Sequence, residues 1–491
     1  MSDARPGTGP GTTAEQPPLL VVLFGATGDL ARRKLFPALF DLRRRGLLGP
    51  DFAVIGSGRH SPGSDDDFRG IVADAVHSSL GDKAADEDVR EFVRRVGFVP
   101  ASAENGDDLA AAVAERGAAL GEGCRTLVYL SVPPESMPDM LRMVERTGIS
   151  DGACLMIEKP FGEDVQSARA LNGVLLDIVP EQRIFRIDHF LCKEAVRNLL
   201  TLRRANGWPT ALWNAKHVAW VQIDVPEEID SQGRAAFLEA TGTFRDMVPT
   251  HLFQITGQVA MEPPSDDSPE AARAARLRLF RDMRVLDPKE TVFGQYDGYR
   301  EEDGVADDST RETFAALRVW IDNPRWDGVP FLLRTGKALG SSDAAVTVGF
   351  RPAVDGTEEE DGAGADGSEA RSGGEFVAGL DDPRDVRLGL DVARPGPGAG
   401  TVHVELRADG RDEAAGEPDA EPMDAYGHVF LNAFRGDHTL FTTAEEVERL
   451  WEIATPVLDD PPTSLPYPKG SFGPEEANEL PGARGWRIPE E

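Results

Sequence analysis

Residues 19–34 read LLVVLFGATGDLARRK, and this stretch decides the fold. Leu19 to Phe24 is a short unbroken apolar run, the pattern of a strand buried on both faces. It runs straight into Gly25 and Gly28. Beyond them, Ala31 to Leu42 places Leu35, Leu39 and Leu42 at the spacing of one helix face. Glycines let the backbone turn sharply and come close to a ligand. A helix starting there aims unsatisfied N–H groups and the positive end of its dipole at the turn, which suits a pyrophosphate. The spacing is G-x-x-G without a third glycine, so a βα turn that holds no ligand stays an alternative. Asp29 could equally be the N-cap of the helix.

Working outward, the βα rhythm continues. Strand patterns recur at Phe52–Gly56, Gly97–Pro100, Thr126–Ser131 and Cys154–Ile157, with helical patterns at Asp107–Leu120 and Glu135–Arg146. Alternation of this kind predicts a doubly wound parallel sheet, a Rossmann-like α/β domain over residues 19–189. After about residue 190 the rhythm changes. Strand patterns at 217–225, 316–321, 330–334, 345–350, 386–390 and 401–406 follow with few helices between them. They predict a large α+β domain over 190–491 with a mainly antiparallel sheet. Helical patterns at Thr243–Met261, Ala271–Met283 and Ala444–Ala454 would cover it. Residues 1–18 read as a disordered tail, and the acidic stretches at about 354–374 and 408–422 as solvated loop insertions.

The chain has 491 residues and a formal net charge of −33, which excludes a general nucleic-acid binder and docking on anionic lipid. Three cysteines are too few for a disulfide framework, so a reducing, cytoplasmic compartment is expected. No signal peptide and no membrane span are read. Only eight of the 52 basic residues are lysine.

Three further places carry chemistry. The second strand ends Gly56-Ser-Gly-Arg59-His60. An acid there would hold a ribose 2′-hydroxyl; an arginine without an acid suits a 2′-phosphate and so favours NADP. The run Arg186-Ile-Asp188-His189-Phe-Leu-Cys192-Lys193 gathers a carboxylate and two basic groups. If the chain is helical after His189, then His189 and Lys193 share a face and could hold a phosphate, leaving Asp188 to orient a histidine. Arg245-Asp246-Met-Val-Pro249-Thr-His251 offers a histidine able to take a hydroxyl proton near neutral pH, and Lys337 follows a strand end. Ordinary ion pairs and a packed core histidine are the plainer readings of the same residues.

Six segments are similar to glucose-6-phosphate dehydrogenases: GATGDLARRKLFPAL, IEKPFG, FRIDHFLCKE, RDMVPTHLFQITGQVAMEPP, DNPRWDGVPFLLRTGK and FRGDHTLFTTAEEVE. They occur in the family's order and span about residue 20 to 470. Four of the eight lysines (Lys34, Lys159, Lys193, Lys337) lie within them. The resemblance implies oxidation of glucose 6-phosphate at C1 to 6-phosphogluconolactone with hydride transfer to NADP, the first step of the oxidative pentose phosphate pathway. It implies His251 as general base, Asp188 as its orienter, and His189 and Lys193 as ligands of the sugar phosphate. Glu227, Asp246 and Lys337 match positions that hold sugar hydroxyls. Gly25, Thr27, Gly28, Asp29, Leu30, Arg59, Lys159 and Pro160 match coenzyme contacts. No metal is implied, and a homodimer or homotetramer joined through the sheet is.

The sequence departs from the family pattern at five places. Phe190 stands for a tyrosine, Cys192 for a glycine, Pro249-Thr250 for Gln-Asn and Ser342 for a lysine. Ala235-Ala236-Phe237 replaces a glycine and aromatic pair. Pro249 removes a helical bond to the Arg245 carbonyl and is expected to kink the helix. These departures keep two other readings open: a paralogue acting on another sugar phosphate or a free hexose, and a non-catalytic binding or assembly protein.

Overall fold

The computed structural model describes residues 17–231, 233–352, 373–381, 385–395, 400–408 and 421–488. Nearly all of the expected tail, and the acidic insertions at 354–372 and 409–420, lie outside the described residues. The chain forms two compact units, the first ending at Lys159 and taking up Ala170–Ile187 and Tyr426–Phe441 as well.

The first unit is built on six strands: β1 (Leu19–Phe24), β2 (Phe52–Ser57), β3 (Val96–Phe98), β4 (Arg125–Leu130), β5 (Cys154–Glu158) and β6 (Ile184–Ile187). A short strand at Phe441–Thr442 lies beside β6, and the remaining order is β6-β5-β4-β1-β2-β3. The pairs among β1 to β6 are all parallel. All six residues of β1 are buried, with β2 and β4 flanking it and the helix Asp107–Leu120 packed against it. The switch point between β1 and β4 is where open α/β sheets receive ligands.

Two expectations change here. The helix after β1 is not uniform: Ala31–Leu35 is a π turn and Phe36–Arg44 is α-helical. Pro37 has no N–H for the Arg33 carbonyl, and the wider turn before it absorbs the mismatch. The unit boundary falls at Ile187/Asp188 and is not a single cut. Residues 426–441 return to the first unit because Phe430 packs on Tyr129 at 5.5 Å and His438 stacks on Phe185 at 4.1 Å. Residues 160–169 go the other way, to the second unit.

The second unit carries a nine-stranded sheet. Its strands are β7 (Val218–Pro226), β8 (Thr291–Tyr296), β9 (Phe314–Val319), β10 (Phe331–Gly336), β11 (Ala345–Phe350), β12 (Glu375–Gly379), β13 (Val386–Ala393) and β14 (Thr401–Ala408), with a C-terminal strand at Ser464–Tyr467. The order is β14-β13-β12-β11-β7-β10-β9-β8 and then the C-terminal strand. Pairing is antiparallel except between β7 and β10 and between β8 and the C-terminal strand. The parallel pair has a consequence for the site. Its register puts Pro226 beside Gly336, so Glu227 and Lys337 leave the sheet at one end.

Val221, Ile223, Leu317, Phe331 and Leu333 of this sheet belong to one core with Phe253, Ile255 and Val259 of a covering helix. Each side chain so buried contributes roughly 1.5–3 kcal/mol. Inside the sheet, Arg334 donates to Asp224 at 2.6 Å, and burial pushes the Asp224 carboxyl up. No described helix is long and apolar enough to cross a membrane.

Gly25 has φ +74°, and a Cβ there would lie 2.0 Å from the Ser131 carbonyl oxygen. Gly25→Ala is therefore expected to destabilise the first unit by about 2–4 kcal/mol. Denaturant unfolding checks this; a cost below about 1 kcal/mol would show that the turn can rearrange.

Candidate active site

The helix expected over Thr243–Met261 is three pieces: α-helical Thr243–Met247, a π turn at Val248–Leu252, and α-helical Phe253–Ala260. Pro249 sits in the π turn. The expected kink is thus taken up as one residue of slack, and Thr250 Oγ1 donates to the Asp246 carbonyl at 2.6 Å. His251 lies within the same turn and is 1% exposed.

Asp188 reaches it from the end of β6. Its backbone is extended and it caps the short helix His189–Cys192, accepting the Phe190 N–H on Oδ1 at 2.9 Å. The same Oδ1 stands 2.6 Å from His251 Nδ1. In the neutral ring Nδ1–H donates to the carboxylate, so Nε2 carries the lone pair, as a general base requires. The Phe190 ring stacks on the imidazole at 4.3 Å and 26°, and the His189 ring meets it edge-on at 4.7 Å. Phe190 thus keeps an aromatic platform where the family has tyrosine, without the hydroxyl. Ligand atoms of Asp188, His189 and His251 lie within 4.8 Å of one another. The bond between Asp188 and Nδ1 commits two of these groups to each other, an arrangement suited to proton transfer.

His189 and Lys193 do not share one continuous helix. The turn His189–Cys192 closes with the Lys193 N–H on the Phe190 carbonyl, and Lys193 is extended before the next helix, Glu194–Ala205. Lys193 Nζ lies 4.4 Å from the Phe190 ring centre and 2.9 Å from Asp381 Oδ1. Cys192 is fully buried and packs in the core. Lys337 Nζ donates to Glu227 Oε2 at 2.5 Å. Asp246 lies five residues before His251 on its helix. Ser342 accepts the Glu228 N–H at 2.9 Å, so it ties the loop that carries Glu227. Ala236 lies against Gly304, and Phe237 is exposed with the Arg234 guanidinium over its ring.

Two groups, Asp381 and Glu312, gave no local signal in the sequence, and a third, Phe190, was given a different role. Asp381 meets Lys193 from 188 residues away, and Phe190 is read as a lost hydroxyl although it stacks on the base. Glu312 accepts the Phe244 N–H at 3.1 Å at the start of the His251 helix. Gly242 makes this possible: at φ +78°, a Cβ would lie 2.1 Å from Glu312 Oε1.

In the first unit, Gly25 and Gly28 form the turn after β1, closed by the Gly28 N–H on the Gly25 carbonyl at 2.9 Å. Thr27 and Leu30 are partly exposed beside them. Asp29 lies inside the first helical turn and pairs with Arg33 at 3.5 Å instead of acting as an N-cap. Arg59 is exposed two residues past β2, and no acid ends that strand. Lys159 follows β5, whose Glu158 accepts the Tyr129 hydroxyl at 2.5 Å, and Pro160 opens the second unit. A glycine whose Cβ would meet Ser131, a helix start and an exposed arginine together fit a dinucleotide carrying a 2′-phosphate.

A doubly wound domain with this turn, and a second domain with a buried carboxylate–imidazole pair, define a two-domain nicotinamide-dependent oxidoreductase. Residues 22–198 match the family "Glucose-6-phosphate dehydrogenase, NAD binding domain" and residues 200–487 match "Glucose-6-phosphate dehydrogenase, C-terminal domain". The chain is 35% identical to glucose-6-phosphate 1-dehydrogenase 2 of Mycobacterium tuberculosis, over 96% of this chain and 95% of that one. It is 34% identical to the cytoplasmic glucose-6-phosphate 1-dehydrogenase 6 of Arabidopsis thaliana, over 94% and 90%. A crystal structure of the Mycobacterium avium enzyme superposes with a TM-score of 0.81 at 32% identity, over 96% of this chain and 99% of that one. A glucose-6-phosphate dehydrogenase solved with its substrate gives 0.85 at 29% identity, over 96% and 98%. The chain belongs to the glucose-6-phosphate dehydrogenase family.

Burial raises the Glu312 carboxyl above its ordinary value of 4.5. The folded chain then holds this proton more tightly than the unfolded one, so the contribution to stability falls as pH rises above about 4.5. Glu312→Gln keeps an acceptor for Phe244 and removes the titration. Thermal melts from pH 5 to 8 should show the parent losing stability relative to the variant; a constant difference would refute the assignment.

Proposed function

We propose that the protein oxidises C1 of glucose 6-phosphate to 6-phosphogluconolactone with NADP as hydride acceptor, with His251 as the base. The observation that carries this reading is the buried pair of Asp188 and His251 at 2.6 Å, with His189 and Phe190 packed against the imidazole. NADP, held by Gly25, Thr27, Gly28, Asp29, Leu30, Arg59, Lys159 and Pro160, supplies the hydride acceptor when bound.

The remaining work falls to side chains of the second unit. His251 Nε2 takes the proton of the C1 hydroxyl. Asp188 fixes the tautomer and stabilises the imidazolium that forms. His189 and Lys193 bind the phosphate, while Glu227, Asp246 and Lys337 hold sugar hydroxyls. One observation favours a second reading, a related sugar as substrate: the phosphate must displace Asp381 from Lys193. That pair is partly exposed, so the displacement costs only about 0.2–1 kcal/mol.

Initial rates of NADPH formation test both readings. Turnover should require glucose 6-phosphate and NADP and should fall sharply with free glucose or NAD. His251→Asn should lower kcat about 10²–10⁴-fold with NADP affinity near normal. A variant with parental turnover would overturn the base assignment, and faster oxidation of free glucose would favour the second reading.

The chain acts as a homodimer in the cytoplasm. Every residue of β14 is exposed, and Val402 and Val404 pair with Val392 and Leu390 of β13, which are exposed as well. An apolar edge of this kind is suited to a second copy of the same surface. All three cysteines are free, and the plant relative is named as cytoplasmic. Val404→Asp should shift sedimentation from dimer to monomer; a parent chain that sediments as a monomer would remove the proposal.

A further inference from the structure

The helix that carries His251 ends in four carbonyls that have no helical partner of their own: Gln258, Val259, Ala260 and Met261. Side chains take all four. Arg203 Nη1 donates to Gln258 at 3.0 Å and Nη2 to Met261 at 2.6 Å. Trp213 Nε1 donates to Val259 at 2.8 Å. Trp326 Nε1 donates to Ala260 at 2.8 Å. All three donors are at most 2% exposed. Arg325 donates to the Trp213 carbonyl at 2.8 Å and also binds Glu262, which steadies Trp213 in turn. At the other end the Glu312 carboxylate accepts from Phe244. The Arg203 cation at the carbonyl end complements the helix dipole.

The π turn makes such a clamp matter. It holds one residue more than an α-helical turn, and that residue could in principle move along the helix. Each one-residue slip rotates the downstream side chains by about 100° and shifts them about 1.5 Å. Either change would take His251 off Asp188. A carbonyl end fixed by four hydrogen bonds keeps the downstream turns in register, and so confines the slack to Val248–Leu252.

We infer that Arg203, Trp213 and Trp326 are positioning residues, which act through the helix backbone to hold His251 against Asp188. The inference rests on the reading of His251 as the base. Sequence gives no hint of it, since the three donors come from separate elements and none lies near His251 in the chain.

Trp326→Phe and Trp213→Phe each remove one donor and keep a ring. Each should lower kcat about tenfold, with KM for glucose 6-phosphate and for NADP within about twofold of the parent, because a small misplacement of a base acts on the chemical step. The acid limb of kcat/KM should also move to lower pH, since an imidazole drawn away from a carboxylate loses the charge that favours its protonation. Melting measurements run alongside. A lowered melting temperature with kcat and pH profile unchanged would make the tryptophans structural only and overturn the inference. If one variant fails to fold, the other, and Arg203→Lys with its cation retained, decide the matter by the same readouts. His251→Asn separates the two ideas. If it keeps parental turnover, the base assignment fails; if it is inactive while both tryptophan variants behave like the parent, only the positioning role fails.

Discussion

A single oxygen, Oδ1 of Asp188, connects the parts of the site. It accepts the Phe190 N–H that starts a helix and it faces Nδ1 of His251, 63 residues further along the chain. The first bond sets the carboxylate's direction, and the second sets the tautomer of the ring. Both lie out of water, where a carboxylate left without partners would be costly. Asp188 and the π turn, both in the second unit, must therefore meet in one arrangement.

Proline shapes the backbone at both candidate sites. Pro37 follows the π turn at Ala31–Leu35 beside the Gly25 turn, and Pro249 lies in the π turn at Val248–Leu252. In each case a missing N–H would leave a carbonyl four residues earlier without its bond. The chain widens by one residue instead of breaking. Helical direction survives, and the side chains beyond the turn are set at a different angle from an unbroken α-helix.

Much of the fold was legible because its signals are local. The apolar run Leu19–Phe24, the glycines after it and the alternation up to Ile157 define the parallel sheet. The strands from β7 onward announce an antiparallel one. What was missed includes two long helices, Asp65–Leu80 and Val165–Ile178, and the strand Thr291–Tyr296, as well as distant contacts and short elements. β6 and the C-terminal strand have four residues each, too few for a period to show. The return of residues 426–441 to the first unit rests on Tyr129 and Phe185, which nothing nearby in the sequence marks. Of the candidate site, the identities of Asp188 and His251 came from motif resemblance; their hydrogen bond had to be seen. The expected face shared by His189 and Lys193 failed because a four-residue turn ends before Lys193. The same limit hid Asp381 and Glu312, whose partners are far away in the chain.

The formal charge of −33 also bears on the exposed strand β14. Two such chains meeting edge to edge are polyanions whose mutual repulsion extends over the Debye length, about 10 Å at 0.1 M salt. The apolar row of Val402 and Val404 attracts only at contact, while the repulsion acts before contact is made. Ionic strength thus sets the balance between them: added salt shortens the repulsion and leaves the apolar attraction in place. In the proposed dimer, the concentration of salt and the concentration of protein would be two controls on the same assembly.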